Sequence, residues 1–142
     1  MANALYDTGR NAFLTKLIDW TADTIKVTLI DSAGYTADTA TDQYMNTDTI
    51  PASAKIATGT LDNCSASAGV ADADDEVLST VSGAESEALV IWMDGGDAGT
   101  TASGTNDMLI AYIDTATGLP VTPNGGDITI SWSTAANKIF KL

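Results

Sequence analysis

Met108-Leu109-Ile110-Ala111-Tyr112-Ile113-Asp114 reads as a β-strand, and the segments on its C-terminal side decide the fold class. Thr115 to Asp127 is dense in turn residues, among them Gly118, Pro120, Pro123, Asn124, Gly125 and Gly126. Ile128-Thr129-Ile130-Ser131-Trp132 resumes strand character, and Lys138-Ile139-Phe140-Lys141-Leu142 reads as a further strand. Short apolar runs rich in β-branched and aromatic side chains, punctuated by Gly, Pro and Asn, are strand and turn signals. Asn and Gly accept positive φ at little cost, so Asn124-Gly125-Gly126-Asp127 is read as a turn between strands.

Upstream, Ala88-Leu89-Val90-Ile91-Trp92-Met93 is apolar without interruption, the pattern of a central strand covered on both faces. It is expected to pair with 108–114 as a long-looped hairpin. The connecting loop, 94–105, carries Gly95, Gly96, Gly99 and Gly104, a glycine content that suggests mobility. In Thr24–Ile30, Ile25, Val27 and Leu29 share one face while Lys26 and Thr28 lie on the other. Segments 54–61 and 76–81 read as additional strands, and 62–75 as a connection of small polar residues. Residues 2–17 hold the one helical pattern. Leu5, Phe13 and Leu17 have helical spacing but Gly9 interrupts them, so the reading is a short helix or a docked arm. The segment 31–49 is long, polar and rich in Thr, Asp and Ala, with Tyr35, Tyr44 and Met45 as anchors. A connection of that length is uncommon in a compact domain unless it has a task. About seven strands with turn signals at short intervals predict an all-β domain, an antiparallel β-sandwich or a barrel-like unit. One domain over 1–142 accommodates them.

Composition narrows the function classes. Nineteen acidic and six basic residues give a formal charge of −13, and no Lys or Arg cluster offers a local exception. Such a charge opposes phosphate backbones and anionic lipid, so neither nucleic acid nor a membrane surface is an expected partner. No run approaches the roughly 20 apolar residues of a membrane helix. The opening Met1-Ala2-Asn3-Ala4-Leu5-Tyr6-Asp7 has neither the basic nor the apolar stretch of a signal peptide. Cys64 is the single cysteine, which fits assembly in a reducing cytoplasm, and no neighbouring cation activates it. Histidine is absent, which removes the commonest general base and the Ser-His and Cys-His nucleophile pairs. An enzyme is therefore not expected.

The densest acidic run, Asp72-Ala73-Asp74-Asp75-Glu76, lacks the glycine and spaced glutamate of a calcium-binding helix–loop–helix. It reads as a solvated loop, as do Asp94 and Asp97 beside their glycines; no metal or cofactor is expected. With so many carboxylates, a pair able to hydrolyse glycosides carries no specificity as a signal. Trp20, Trp92 and Trp132 are read as core or cross-strand residues before they are read as sugar platforms.

The opening 1–7, the block Ile18-Asp19-Trp20 with Thr24-Ile25-Lys26-Val27, and the closing block from Ile113-Asp114-Thr115-Ala116-Thr117-Gly118-Leu119-Pro120 to Leu142 resemble small virion structural proteins of tailed bacteriophages. The resemblance runs from end to end, over turns and strands and not over catalytic motifs. Within that family it points towards capsid decoration (cement) proteins. It implies assembly in the host cytoplasm, a place on the outer capsid surface, the major capsid protein as partner, and a homo-oligomer, with a trimer suited to quasi-three-fold positions. A tail or fibre component, or a β module that binds a receptor glycan, is the alternative. Position and length single out the 2–17 arm and the 31–49 loop as contact segments. Their candidate contact side chains are Leu5, Tyr6, Phe13, Leu14, Tyr35, Tyr44 and Met45.

Overall fold

A computed structural model describes residues 3–142; Met1 and Ala2 of the expected arm lie outside the described residues. In chain order the elements are β1 (Ala4–Leu5), α1 (Asp7–Leu14), β2 (Thr24–Ile30), a single 3-10 turn (Ala52–Ala54), β3 (Lys55–Thr60), β4 (Ser65–Ser67), β5 (Val70–Asp72), β6 (Glu76–Leu78), β7 (Ala88–Asp94), β8 (Met108–Ile113), β9 (Ile128–Ile130) and β10 (Phe140–Lys141). The chain is all-β apart from one short helix, as expected, but the described residues hold ten strands where about seven were read.

The main sheet has five antiparallel strands in the order β1-β8-β7-β2-β3. The apolar run 88–93 lies in its middle strand, β7, and Ala88 to Met93 are all buried. Alternation along a strand sends neighbours to opposite faces. Ile25, Val27, Leu29, Leu89, Ile91 and Met93 accordingly enter one core, while Ile30, Ala88, Val90 and Trp92 enter a second core behind the sheet. In β8 the alternation breaks. Trp92 pairs with Leu109 and Ile91 with Ala111, so Ile110 is the extra residue of a bulge. Ile110 and Ala111 therefore both face the first core, and Leu109 and Tyr112 face the second.

Two small antiparallel sheets, β10-β5-β4 and β6-β9, cover the first core in a sandwich-like layer. Ala71, Leu78 and Ile130 are their buried contributions. The hairpin of β4 and β5 lies inside the 62–75 stretch that reads as a plain connection. Its strands hold no bulky alternation to betray it, and β4 is exposed throughout. The turn works because Ala68 and Gly69 both take positive φ, 53° and 79°, the backbone that a two-residue hairpin needs.

The second core is covered by the N-terminal segment and the 31–54 stretch, whose Tyr35, Ala37, Met45, Ile50 and Ala54 pack there with Tyr6. The expected helix is shorter than 2–17. Ala4 and Leu5 pair with Tyr112 and Ala111 as an edge strand, and the helix starts only at Asp7. It ends in a Schellman closure: the N–H of Leu17 donates to the Ala12 carbonyl at 2.9 Å and that of Lys16 to Phe13 at 3.3 Å. Lys16 holds the left-handed position of that closure, with φ of 61°.

Candidate functional site

The two segments expected to reach outward are tied to the body and to each other. The N–H of Tyr6 donates to the Ile110 carbonyl (3.0 Å), that of Asp7 to Thr39 (2.8 Å), and the Thr8 hydroxyl to the Asp42 carbonyl (2.7 Å). A chain of side-chain bonds runs beneath them. The Tyr6 and Tyr35 hydroxyls are 2.8 Å apart, and the Tyr35 hydroxyl donates to the Asp42 carboxylate at 2.6 Å. Burial, before any neighbour's charge, pushes both phenols well above the ordinary tyrosine range. Asp42 also accepts the Asp38 N–H, and Asp38 accepts from Ala40 and Thr41. The Asp and Thr content of the loop is thus turn chemistry.

The other end of the loop is clamped to 94–107. Lys55 donates to the Met45 carbonyl at 2.9 Å and to the Gly99 carbonyl at 2.5 Å. Loss of hydration outweighs the nearby Asp107 charge and pulls the Lys55 ammonium down to about 8. Asp107, 2% exposed, accepts the N–H groups of Gly95, Asp97 and Gly99. The glycine-rich loop, read as mobile in sequence, is wound around this buried carboxylate. Within it the Asp97 Oδ2 atom is buried and makes no hydrogen bond.

These contacts sort the seven candidate contact residues. Tyr6, Tyr35 and Met45 are in the second core, so their side chains build the body and do not form a surface. The physical reason is that each finds its partners within the chain: the phenols each other and Asp42, the thioether an apolar pocket. Tyr44 is half-buried and bridges to Met108. Leu5 is half-buried in β1. Phe13 is half-buried and Leu14 is 85% exposed. Phe13 lines a concave surface, and Leu14 is its neighbour in the chain.

The acidic run 72–76 is dispersed over the small sheets. Asp72 pairs with Lys138, Asp74 accepts from the Asn63 amide at 2.6 Å, and Asp75 accepts the Trp132 N–H at 2.9 Å. The Lys138 hydrogen bond holds the Asp72 carboxyl below its usual range, whereas burial raises that of Glu76. Among the described residues, no three Asp, Glu or Cys side chains converge as metal ligands. Trp92 is core, its indole N–H donating to the Thr28 hydroxyl at 2.9 Å. Trp132 packs half-buried against the first core.

The concave surface that Phe13 reaches has a volume of about 480 Å³. Trp20 and Phe140 form its floor, edge to face with ring centroids 5.1 Å apart, and Phe13 stands 6.1 Å from Phe140. Trp20 is fixed from beneath by its indole N–H, which donates to the Asp72 carbonyl at 3.1 Å. Leu142 and Lys16 stand at the edge. Nothing in the sequence links Phe13, Trp20 and Phe140, which come from opposite ends of the chain; β10 pairing with β5 is what unites them.

No protein-family model and no curated protein matches the chain.

Proposed function

We propose that the protein is a structural component of a tailed-bacteriophage virion, a capsid decoration (cement) protein that binds the outer shell and stabilises contacts between capsomers. The observation that carries this reading from the geometry is the anchoring of both long segments. The arm and the 31–54 stretch are locked onto the main sheet by the Tyr6–Tyr35–Asp42 chain and the Lys55 clamp, which makes a stiff block of a small chain. A clamp between capsomers must resist displacement, and stiffness lowers the ordering cost of binding. The end-to-end sequence resemblance supplies the virion context.

The mechanism is repetition. Each copy buries a modest complementary surface, and many symmetric copies together oppose the pressure of packed DNA. The major capsid protein is the partner. The charge of −13 suits a position on the outside of the shell, since it opposes contact with packaged DNA. Self-association, as a trimer at quasi-three-fold positions, requires contacts that are apolar or that enlist the few lysines.

Shells purified without this protein, incubated with the chain and sedimented, test the reading. Co-sedimentation that saturates at a simple ratio to the capsid protein, with DNA released at a higher temperature, is the expected result. Chain left in the supernatant at saturating concentration would contradict it.

A further inference from the structure

The turn before β9 holds a reactive dipeptide under restraint. Gly125 has a φ of 86°, a left-handed backbone that favours glycine, and the Asn124 Oδ1 atom accepts the Gly126 N–H at 3.0 Å. The turn thus uses an asparagine followed by a glycine. In that pair the side-chain carboxamide is most open to attack by the next backbone nitrogen, because glycine has no Cβ to stand in the way. The chain holds one Asn-Gly and one Asp-Gly dipeptide, Asn124-Gly125 and Asp94-Gly95.

Residues 124–127 are exposed, so burial shields none of these atoms from water or base. The shielding comes from hydrogen bonds to the segment after β6. The Gly125 N–H donates to the Val81 carbonyl at 2.8 Å, and the Val81 N–H donates to the Gly126 carbonyl at 2.9 Å. One residue earlier, the Thr80 N–H donates to the Asp127 carboxylate at 2.9 Å. Val81 is buried in the first core, and these ties continue the pairing of β6 with β9. The Gly125 nitrogen, the atom that would attack, thus has its hydrogen engaged and its position fixed. At the other dipeptide the Gly95 N–H is likewise held, by the Asp107 carboxylate at 2.9 Å, and the Asp94 carboxylate is paired with Lys26. A carboxylate is moreover a poorer electrophile than a carboxamide, which leaves Asn124 as the reactive member.

We propose that Asn124 is a latent modification site, closed while Gly125 is bonded to Val81 and opened when the turn separates from residues 80–81. The step is intramolecular. The Gly125 nitrogen gives its proton to base and attacks the Asn124 Cγ atom. The new C–N bond closes a cyclic imide, and the Cγ–Nδ2 bond breaks with release of ammonia. Water then opens the imide at either carbonyl and leaves aspartate or isoaspartate; nothing is oxidised or reduced. The closed form opposes the first step, because ring closure removes the hydrogen that the Val81 carbonyl holds. The products oppose the return, since the imide nitrogen has no hydrogen to donate and isoaspartate adds an atom to the backbone of the turn. Opening at this end of the β6–β9 sheet is thereby recorded in covalent structure. The inference stands apart from the virion reading.

The test incubates the folded full chain, the same chain unfolded in guanidinium chloride, and a synthetic peptide of residues 119–130 in mildly alkaline buffer. Aspartyl and isoaspartyl products at position 124 are quantified by peptide mapping. Because only the opened fraction reacts, the folded chain is expected to convert at least about tenfold more slowly than the other two. Native-state hydrogen exchange should find the Gly125 amide protected. Asp127→Ala removes the tie to Thr80. In the folded chain it should speed both exchange at Gly125 and conversion at Asn124 about three- to tenfold. Its rate in guanidinium chloride should equal that of the unaltered chain, which separates release of the turn from a change in intrinsic reactivity. A folded chain that converts as fast as the peptide, or a Gly125 amide that exchanges at the peptide rate, would overturn the proposal. So would an Asp127→Ala variant with unchanged exchange and conversion.

Discussion

The Tyr35 hydroxyl stands between two groups that need it, the Tyr6 hydroxyl and the Asp42 carboxylate. Tyr6 is fully buried, so in Tyr35→Phe its hydroxyl is left without that partner. An unsatisfied buried hydroxyl costs about 1–3 kcal/mol, and the urea midpoint of this variant should fall accordingly with an unchanged slope. An unmoved midpoint would show that the hydroxyl chain does not hold the loop. The same residues set the alkaline behaviour. Lys55 titrates near 8 in the folded chain against an ordinary 10.5, so between those values the unfolded chain binds more protons and stability rises with pH. Tyr6 and Tyr35 are shifted the other way, above their ordinary 10.0. Above about pH 10 the unfolded phenols ionise first and stability falls. Urea melts from pH 7 to 11 should therefore show a maximum near pH 10, where the rise from Lys55 gives way to the fall from the phenols. In Lys55→Met the rise on its acid side disappears, and in Tyr35→Phe the fall on its alkaline side becomes shallower. A monotonic decline across that range in the unaltered chain would contradict the assignment.

At the scale of elements, contact outranks propensity, and α1 shows it most clearly. Gly9 reads as a defect in a helical pattern, yet a Cβ there would lie 2.5 Å from the Leu109 carbonyl oxygen and 3.1 Å from the Ile110 Cα. Both are backbone atoms of β8, which cannot rotate aside. Gly9→Ala gains roughly 1 kcal/mol of helix propensity and loses about 1–3 kcal/mol to overpacking, so it should lower the melting temperature. A higher melting temperature would mean that the helix is free to lift from the sheet. Glycine weighs on a propensity reading as a helix breaker, and only the strand beneath it reveals the opposite role. Strands β2, β7 and β8 were legible because their bulky alternation or unbroken apolar run is local, and so was the pairing of β7 with β8 as a hairpin. The β4–β5 hairpin was not, because Ser65-Ala66-Ser67 buries nothing and its signal is the positive φ of Ala68. The bulge at Ile110 is likewise invisible in a run where every residue is apolar. The aromatic groove was out of reach for a different reason: it is made by a contact between the two ends of the chain.

At the scale of the molecule, the distribution of charge is the organising fact. Four of the six cations are engaged within the chain, three in ion pairs with Asp7, Asp94 and Asp72 and one on two carbonyls. Lys16 and Lys141 are left without an ion pair among the described residues. Net charge was legible in composition; which cations are paired and which stand free required the fold. An acidic, sandwich-like block with both long segments tied to its main sheet suits the proposed role of a shell component. The most direct measurement of that role is the copy number of this chain relative to the major capsid protein in purified virions, by quantitative mass spectrometry. A ratio near one, or a simple fraction of it, is expected, as a lattice component of the shell requires. A few copies per particle would place the protein in the tail or a fibre, and absence from the virion would contradict the structural reading altogether.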